Sequence, residues 1–147
     1  MTQNILFVDD EPHNITAVQG ILSEALDVHI HISTTVSDAF EILEKMEFVL
    51  IVTDIFIPMG KKFQYHVGPR ARKYEENMKH LGGLALLDHL EKFSPTPPIL
   101  AHTACTDFAL LEVLGEHVIA KVPKPAPVDV LLTSIRDILY PKKEWSF

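Results

Sequence analysis

Three aspartates stand at the ends of apolar runs. Asp9 and Asp10 follow Ile5-Leu6-Phe7-Val8, and Asp54 follows Val49-Leu50-Ile51-Val52-Thr53. Thr103 closes a third run, residues 99–102, and Lys124 stands just past a fourth, residues 118–122. Runs this short suit strands better than helices. In an open parallel sheet the strand ends share one edge, and ligands bind there. Three carboxylates, a hydroxyl and an ammonium on such an edge suit a divalent cation and a phosphoryl group. Mg²⁺ takes oxygen ligands in near-octahedral array, typically one or two carboxylates with phosphate oxygens and waters. An aspartate carboxylate can attack phosphorus to form an acyl phosphate. Metal and lysine then neutralise the equatorial oxygens of the group in transit. Lys124 is the candidate for that task, and Thr103 can donate its hydroxyl to a remaining oxygen. An aspartate inside an apolar run is costly unless paired or metal-bound, which weighs against a merely structural Asp54.

The elements that would position these groups alternate along the chain. Residues 4–8 read as a strand buried on both faces. Ile15, Val18, Leu22 and Leu26 recur at helical spacing, with Pro12 suited to the first turn. Val28-His29-Ile30-His31-Ile32 alternates with period two, the pattern of an edge strand with one wetter face. Thr35 to Asp38 resembles a capping box, ahead of Ala39, Phe40, Leu43 and Met46 on one helical face. Residues 48–53 form a central strand, and residues 84–93 a helix stopped by the proline-rich stretch 94–98. Residues 98–103, a short helix near 107–114, residues 118–122 and a last helix through Val128, Leu131, Leu132, Ile135 and Ile138 complete the order. The register βαβαβαβαβα predicts a parallel sheet with helices on both faces.

At 147 residues the chain fits one domain with a genuine core. A hydrophobic content of 47% with 22% charged residues is that of an ordinary globular chain. The net charge of −7 argues against general nucleic-acid binding. One cysteine, Cys105, rules out an internal disulfide and fits a reducing cytosol. The N-terminus lacks the pattern of a secretion signal, and no apolar stretch reaches the ~20 residues needed to cross a bilayer. A cytoplasmic domain with no membrane contact is expected.

The exception to compactness is residues 60–81, far longer than the usual connection between a strand and its helix. The segment carries Lys61, Lys62, Arg70, Arg72, Lys73 and Lys79, nearly half of the 13 basic residues, against Glu75 and Glu76. It reads either as a solvated loop or as a basic lid or docking surface beside Asp54. His29 and His31 share one strand face without a third metal ligand, His66 and His80 have less support still, and Cys105 reads as a plain small side chain. Trp145 and Phe147 lie in a short tail, residues 141–147, beyond a domain spanning residues 1–140.

Taken together, Asp9-Asp10-Glu11, Asp54-Ile55-Phe56-Ile57-Pro58, Thr103-Ala104 and Lys124-Pro125 make the chain resemble a receiver domain of the two-component response-regulator family. The likeness covers all but residues 60–81 and the tail. It implies a flavodoxin-like, doubly wound five-stranded parallel sheet of order 2-1-3-4-5. It implies Asp54 as phosphoacceptor, served by a histidine kinase or a histidine phosphotransfer protein. Mg²⁺ would be held by Asp10 and Asp54 directly, by Asp9 through water, and by the backbone carbonyl of Phe56. A cis Lys124–Pro125 peptide is implied as well. The product is a phosphoprotein that switches a downstream protein target, with homodimerisation on phosphorylation as one form of output. It is not an enzyme beyond its own phosphotransfer and dephosphorylation. Its tail is too short for an output module, so the expected form is stand-alone. Phosphorylation adds about −1.5 to −2 charge, and this is expected to draw Thr103 and Lys124 inward and shift the surface of the helix near 107–114, the fifth strand and the last helix.

The chain departs from the family in several places. Lys121 stands where an aromatic is usual, Pro123 adjoins Lys124, and neither Phe56 nor Cys105 offers a carboxylate or amide to orient an attacking water. Slow autodephosphorylation is the expectation. Lys121 is a second candidate for the phosphate-contacting lysine, but the proline after Lys124 favours the latter. Two other readings stand beside this one. A phosphorylation-independent adaptor would keep the fold without the chemistry. A Mg²⁺-dependent aspartyl-phosphate phosphatase of the haloacid-dehalogenase type needs a second aspartate two residues after the first, where this chain has Glu11.

Overall fold

The computed structural model describes residues 2–58, 82–93, 95–105, 112, 115 and 118–141. Five parallel strands, β1 (Gln3–Val8), β2 (Val28–Ser33), β3 (Leu50–Thr53), β4 (Ile99–Thr103) and β5 (Ala120–Pro123), lie in the order β2-β1-β3-β4-β5. Helices α1 (His13–Leu26), α2 (Val36–Lys45), α3 (Gly82–Leu90) and α4 (Val128–Leu139) cover the two faces. The architecture is the flavodoxin-like one expected from the sequence. The short helix expected near 107–114 (residue 112 apart), the 60–81 segment and the tail beyond Pro141 lie outside the described residues.

Side chains alternate across the central strands and split the core in two. On one face Leu6, Val8, Ile51, Ile99 and Ala101 pack with Phe40 of α2 and with Leu84, Leu86 and Leu90 of α3. On the other, Ile5, Phe7, Leu50, Val52, Leu100 and Val122 pack with Ile15 and Leu22 of α1 and Leu131 and Ile135 of α4. Burial on both faces is why β1, β3 and β4 read as continuous apolar runs. β2 lies at the edge, as its alternation predicts. His29 is exposed, while half-buried His31 bonds Asn4 Oδ1 at 3.1 Å and meets Phe48 edge-on.

Helix ends follow local chemistry. Thr35 caps α2, its hydroxyl accepting the Asp38 N–H at 3.1 Å. Pro12 is the N-cap residue of α1 rather than part of its first turn, and its carbonyl receives the N–H groups of Ile15 and Thr16. α1 ends at Asp27 in the left-handed conformation (φ 52°), a role that aspartate tolerates better than most residues.

Candidate functional site

The chain runs outward from β1 to β2, then crosses back to β3 on the other side of β1. A crevice opens where the strand order reverses, at the carboxyl ends of the strands. Asp9 follows β1 and Asp54 follows β3, so acidic groups flank the reversal on both sides. Ladder bonds fix their height, with the Asp9 N–H donating to Ser33 O at 3.0 Å and the Asp54 N–H to Val8 O at 3.1 Å.

Lys124 reaches this crevice from the end of β5. Its Nζ donates to Asp9 Oδ2 at 2.5 Å and to Asp54 Oδ2 at 2.9 Å. Asp9 is 3% exposed and Asp54 7%, so the pair of carboxylates is held almost out of water with one ammonium between them. Burial alone would pull the Lys124 pKa down. Hydrogen bonds and charge from Asp9 and Asp54 outweigh it and hold the ammonium above its ordinary value. Lys121, exposed on β5, is not the lysine found between the carboxylates.

The other carboxylate oxygens are spoken for by backbone. Asp54 Oδ1 accepts the N–H groups of Ile55 at 2.7 Å and Phe56 at 3.3 Å, and Asp9 Oδ1 accepts the Glu11 N–H at 2.9 Å. Oδ2 of Asp54 is thereby turned to the lysine side. Thr103, 5% exposed, ends β4, and its hydroxyl oxygen accepts the Cys105 N–H at 3.2 Å. The Lys124 N–H donates to the Thr103 carbonyl at 3.0 Å, tying the two backbones together. The Lys124–Pro125 peptide is cis, as the family resemblance implies.

Asp10 is exposed beside this cluster. Desolvation, then the charges of Asp9, Glu11 and Asp54, raise its carboxyl pKa above the ordinary value. Among the described residues no group of three or more His, Cys, Asp or Glu side chains is placed to hold a metal ion. An oxygen-only, partly open donor set with crowded negative charge nevertheless fits Mg²⁺, which keeps several waters and needs only one or two carboxylates. Phe56, 39% exposed, sits at the turn directly after Asp54.

Some participants were not singled out by sequence reasoning. His102, half-buried on β4, bonds the Val122 carbonyl through Nδ1 at 3.0 Å. A carbonyl only accepts, so Nδ1 carries the proton and Nε2 the lone pair. Burial is the largest cause lowering its pKa. His102 helps line a cleft of about 400 Å³ beside the site, with Glu11, Asn14, Lys124, Ala126 and Leu131. Its signal in sequence was its place just before Thr103, which period two sends to the opposite sheet face. The Ile55 and Phe56 amides, and the glycines behind them, left no such signal.

No family model matches the chain, and no curated protein matches it. Solved structures do match. A CheY-like response regulator receiver domain protein from Methanospirillum hungatei superposes with a TM-score of 0.70 at 21% identity, covering 95% of this chain and 94% of that one. The non-phosphorylated HemR receiver domain from Leptospira biflexa gives 0.71 at 18% identity, over 99% and 100% of the two chains. The chemotaxis response regulator CheY4 of Vibrio cholerae gives 0.69 at 16% identity, over 94% and 99%. The chain thus has the fold of the response-regulator receiver domains. No helix among the described residues is long and apolar enough to cross a membrane.

Proposed function

We propose that this chain is a phosphorylatable signalling receiver that takes a phosphoryl group onto Asp54 Oδ2 from a phosphohistidine donor. The observation that carries the reading is the Lys124 ammonium held between Asp9 and Asp54, at the sheet's topological reversal, with Asp54 Oδ1 fixed by two backbone amides. Oδ2 attacks phosphorus as the bond from phosphorus to the donor nitrogen breaks. Lys124, already on Oδ2, can follow the new group and neutralise one of its oxygens, and the Thr103 hydroxyl can donate to another. Bound Mg²⁺ supplies charge neutralisation of the transferring group. Asp10, Asp54 and the Phe56 carbonyl would hold it, with Asp9 assisting.

The partners that fit are a histidine kinase or a histidine phosphotransfer protein upstream and a protein target downstream. Residues 1–140 form the receiver unit in this reading, and residues 60–81 a basic appendage beside the acceptor. Incubation with Mg²⁺ and acetyl phosphate is the test. Gain of one phosphoryl mass, lost in Asp54→Asn, is the expected result. Continuous turnover of many equivalents would indicate a phosphatase instead, and absence of any label an adaptor.

A further inference from the structure

The loop after β3 is packed against two glycines. The Gly82 N–H donates to the Ile57 carbonyl at 2.8 Å, and the Gly83 N–H to the Ile55 carbonyl at 3.0 Å. These are two of the amides that a helix leaves without partners in its first turn, here the first turn of α3. The Ile55 carbonyl also receives the Ile57 N–H at 3.0 Å, so residues 55–57 form a tight three-residue turn with Phe56 at its apex. The approach is close enough to exclude any side chain. A Cβ on Gly83 would lie 2.6 Å from Ile55 Cα and nearer still to the Asp54 carbonyl oxygen. One on Gly82 would strike both the Ile57 carbonyl oxygen and Val36 Cγ2. Val36, whose N–H donates to Pro58 O at 3.0 Å, closes the same contact from α2.

We propose that Gly82 and Gly83 are positioning residues for the phosphoryl acceptor: they set the height of the 54–58 loop and so aim its amides at Asp54 Oδ1. The chain of contact is short. Gly83 touches the backbone of Asp54 and Ile55, and Ile55 and Phe56 supply the N–H groups that turn the carboxylate. With the carbonyls on either side of Phe56 tied to glycine amides, the Phe56 carbonyl between them is set as well. A methyl group at Gly83 displaces this loop because the opposing atoms are backbone, which cannot rotate away.

The role rests on Asp54 being the acceptor, and the test separates the two ideas. Gly83→Ala is compared with wild type and with Gly20→Ala, a helical glycine whose Cβ would meet nothing. Without Mg²⁺, the Ile55 amide proton should move upfield in Gly83→Ala as its 2.7 Å bond to Asp54 lengthens. With Mg²⁺ and acetyl phosphate, labelling should slow by roughly ten- to a hundredfold, the scale of a small misplacement at a reacting atom. Mg²⁺ affinity, read by titration of the same amide, should weaken. Gly20→Ala should change none of these. A folded Gly83→Ala with the wild-type amide shift and labelling rate overturns the role. If wild type itself takes no label, the acceptor reading falls and the amide shift alone decides the clamp. If Gly83→Ala does not fold, hydrogen exchange on wild type decides. Gly82 and Gly83 amides as protected as Ile55 support the clamp, and exchange at the rate of open helix-end amides overturns it.

Discussion

Lys124 balances two buried carboxylates, and its removal leaves them facing each other without a counter-charge. Lys124→Ala is expected to cost about 2 kcal/mol in urea denaturation, less than the loss from a fully buried pair because the lysine keeps partial contact with water. Adding Mg²⁺ should recover part of it. The raised pKa of Lys124 gives stability that is complete below its ordinary value of 10.5 and lost only as pH rises through the folded-state value. Asp10 behaves oppositely in consequence. Its raised carboxyl pKa means that its ionised form, present at neutral pH, opposes folding. Asp10→Asn should therefore raise the metal-free melting temperature, by the equivalent of under about 1 kcal/mol since solvent screens an exposed carboxylate, and should abolish the rise that Mg²⁺ gives wild type. Phe56, half open to solvent, and Cys105, buried beside Thr103, cannot orient a water through a carboxylate or amide. Loss of label from phosphorylated protein should be slow, with a half-life well beyond seconds, and Phe56→Glu should shorten it.

α2 and α3 meet through His89, whose ring stacks on Phe40 at 4.0 Å between centroids and meets Phe93 edge-on at 5.5 Å. Its Nε2 is buried without a hydrogen-bond partner among the described residues, and desolvation is the main cause lowering its pKa. His102 on β4 is lowered as well, with burial again first. Such groups bind protons more readily unfolded, so they contribute stability above their ordinary value of 6.5 that is lost as pH falls towards the folded-state values. Melting temperature should drop between about pH 7.5 and 5.5, and His89→Leu should flatten that slope. Thr35→Ala, which deletes the α2 cap, should cost about 1 kcal/mol. The strand–helix order was legible because apolar runs and three-four spacing report burial directly. Boundaries were less so. β3 begins at Leu50 rather than Phe48, whose ring turns aside to meet His31. β5 spans Ala120–Pro123 rather than 118–122, because an edge strand tolerates a proline without a ladder N–H. α3 already includes Gly82 and Gly83, ahead of the expected Leu84, and ends at Leu90 rather than 93. Paired glycines read as loop in sequence, while what selects them is backbone contact with a loop some 25 positions earlier. The acidic, hydroxyl and lysine positions were legible because each ends a run, but which oxygen meets which donor depends on backbone geometry that no spacing reveals.

In the proposed reading the carboxylates crowded at one crevice bind Mg²⁺, and the net charge of −7 favours its approach. At one hundred times its dissociation constant, Mg²⁺ should stabilise the fold by about 2.7 kcal/mol, read as a melting shift absent with Na⁺ at equal ionic strength. The basic appendage is attached where Pro58 and Gly82 are both already secured, through Val36 N to Pro58 O and Gly82 N to Ile57 O. Replacing residues 59–81 with a short Gly-Ser linker should leave cooperative melting and acetyl phosphate labelling intact. Weaker binding to a partner histidine kinase, or faster loss of label, would show that the appendage serves recognition or shielding; unchanged behaviour in all of these would make it a passive loop.

Lys124 lies 115 positions after Asp9 and 70 after Asp54. A chain emerging from the ribosome thus exposes both acids long before the cation that reconciles them has been translated. Until then the amino-terminal half must tolerate that repulsion alone or borrow a metal ion from solution. The crevice is completed only when β5 is laid down, so the charge pairing forms after the other four strands have been made.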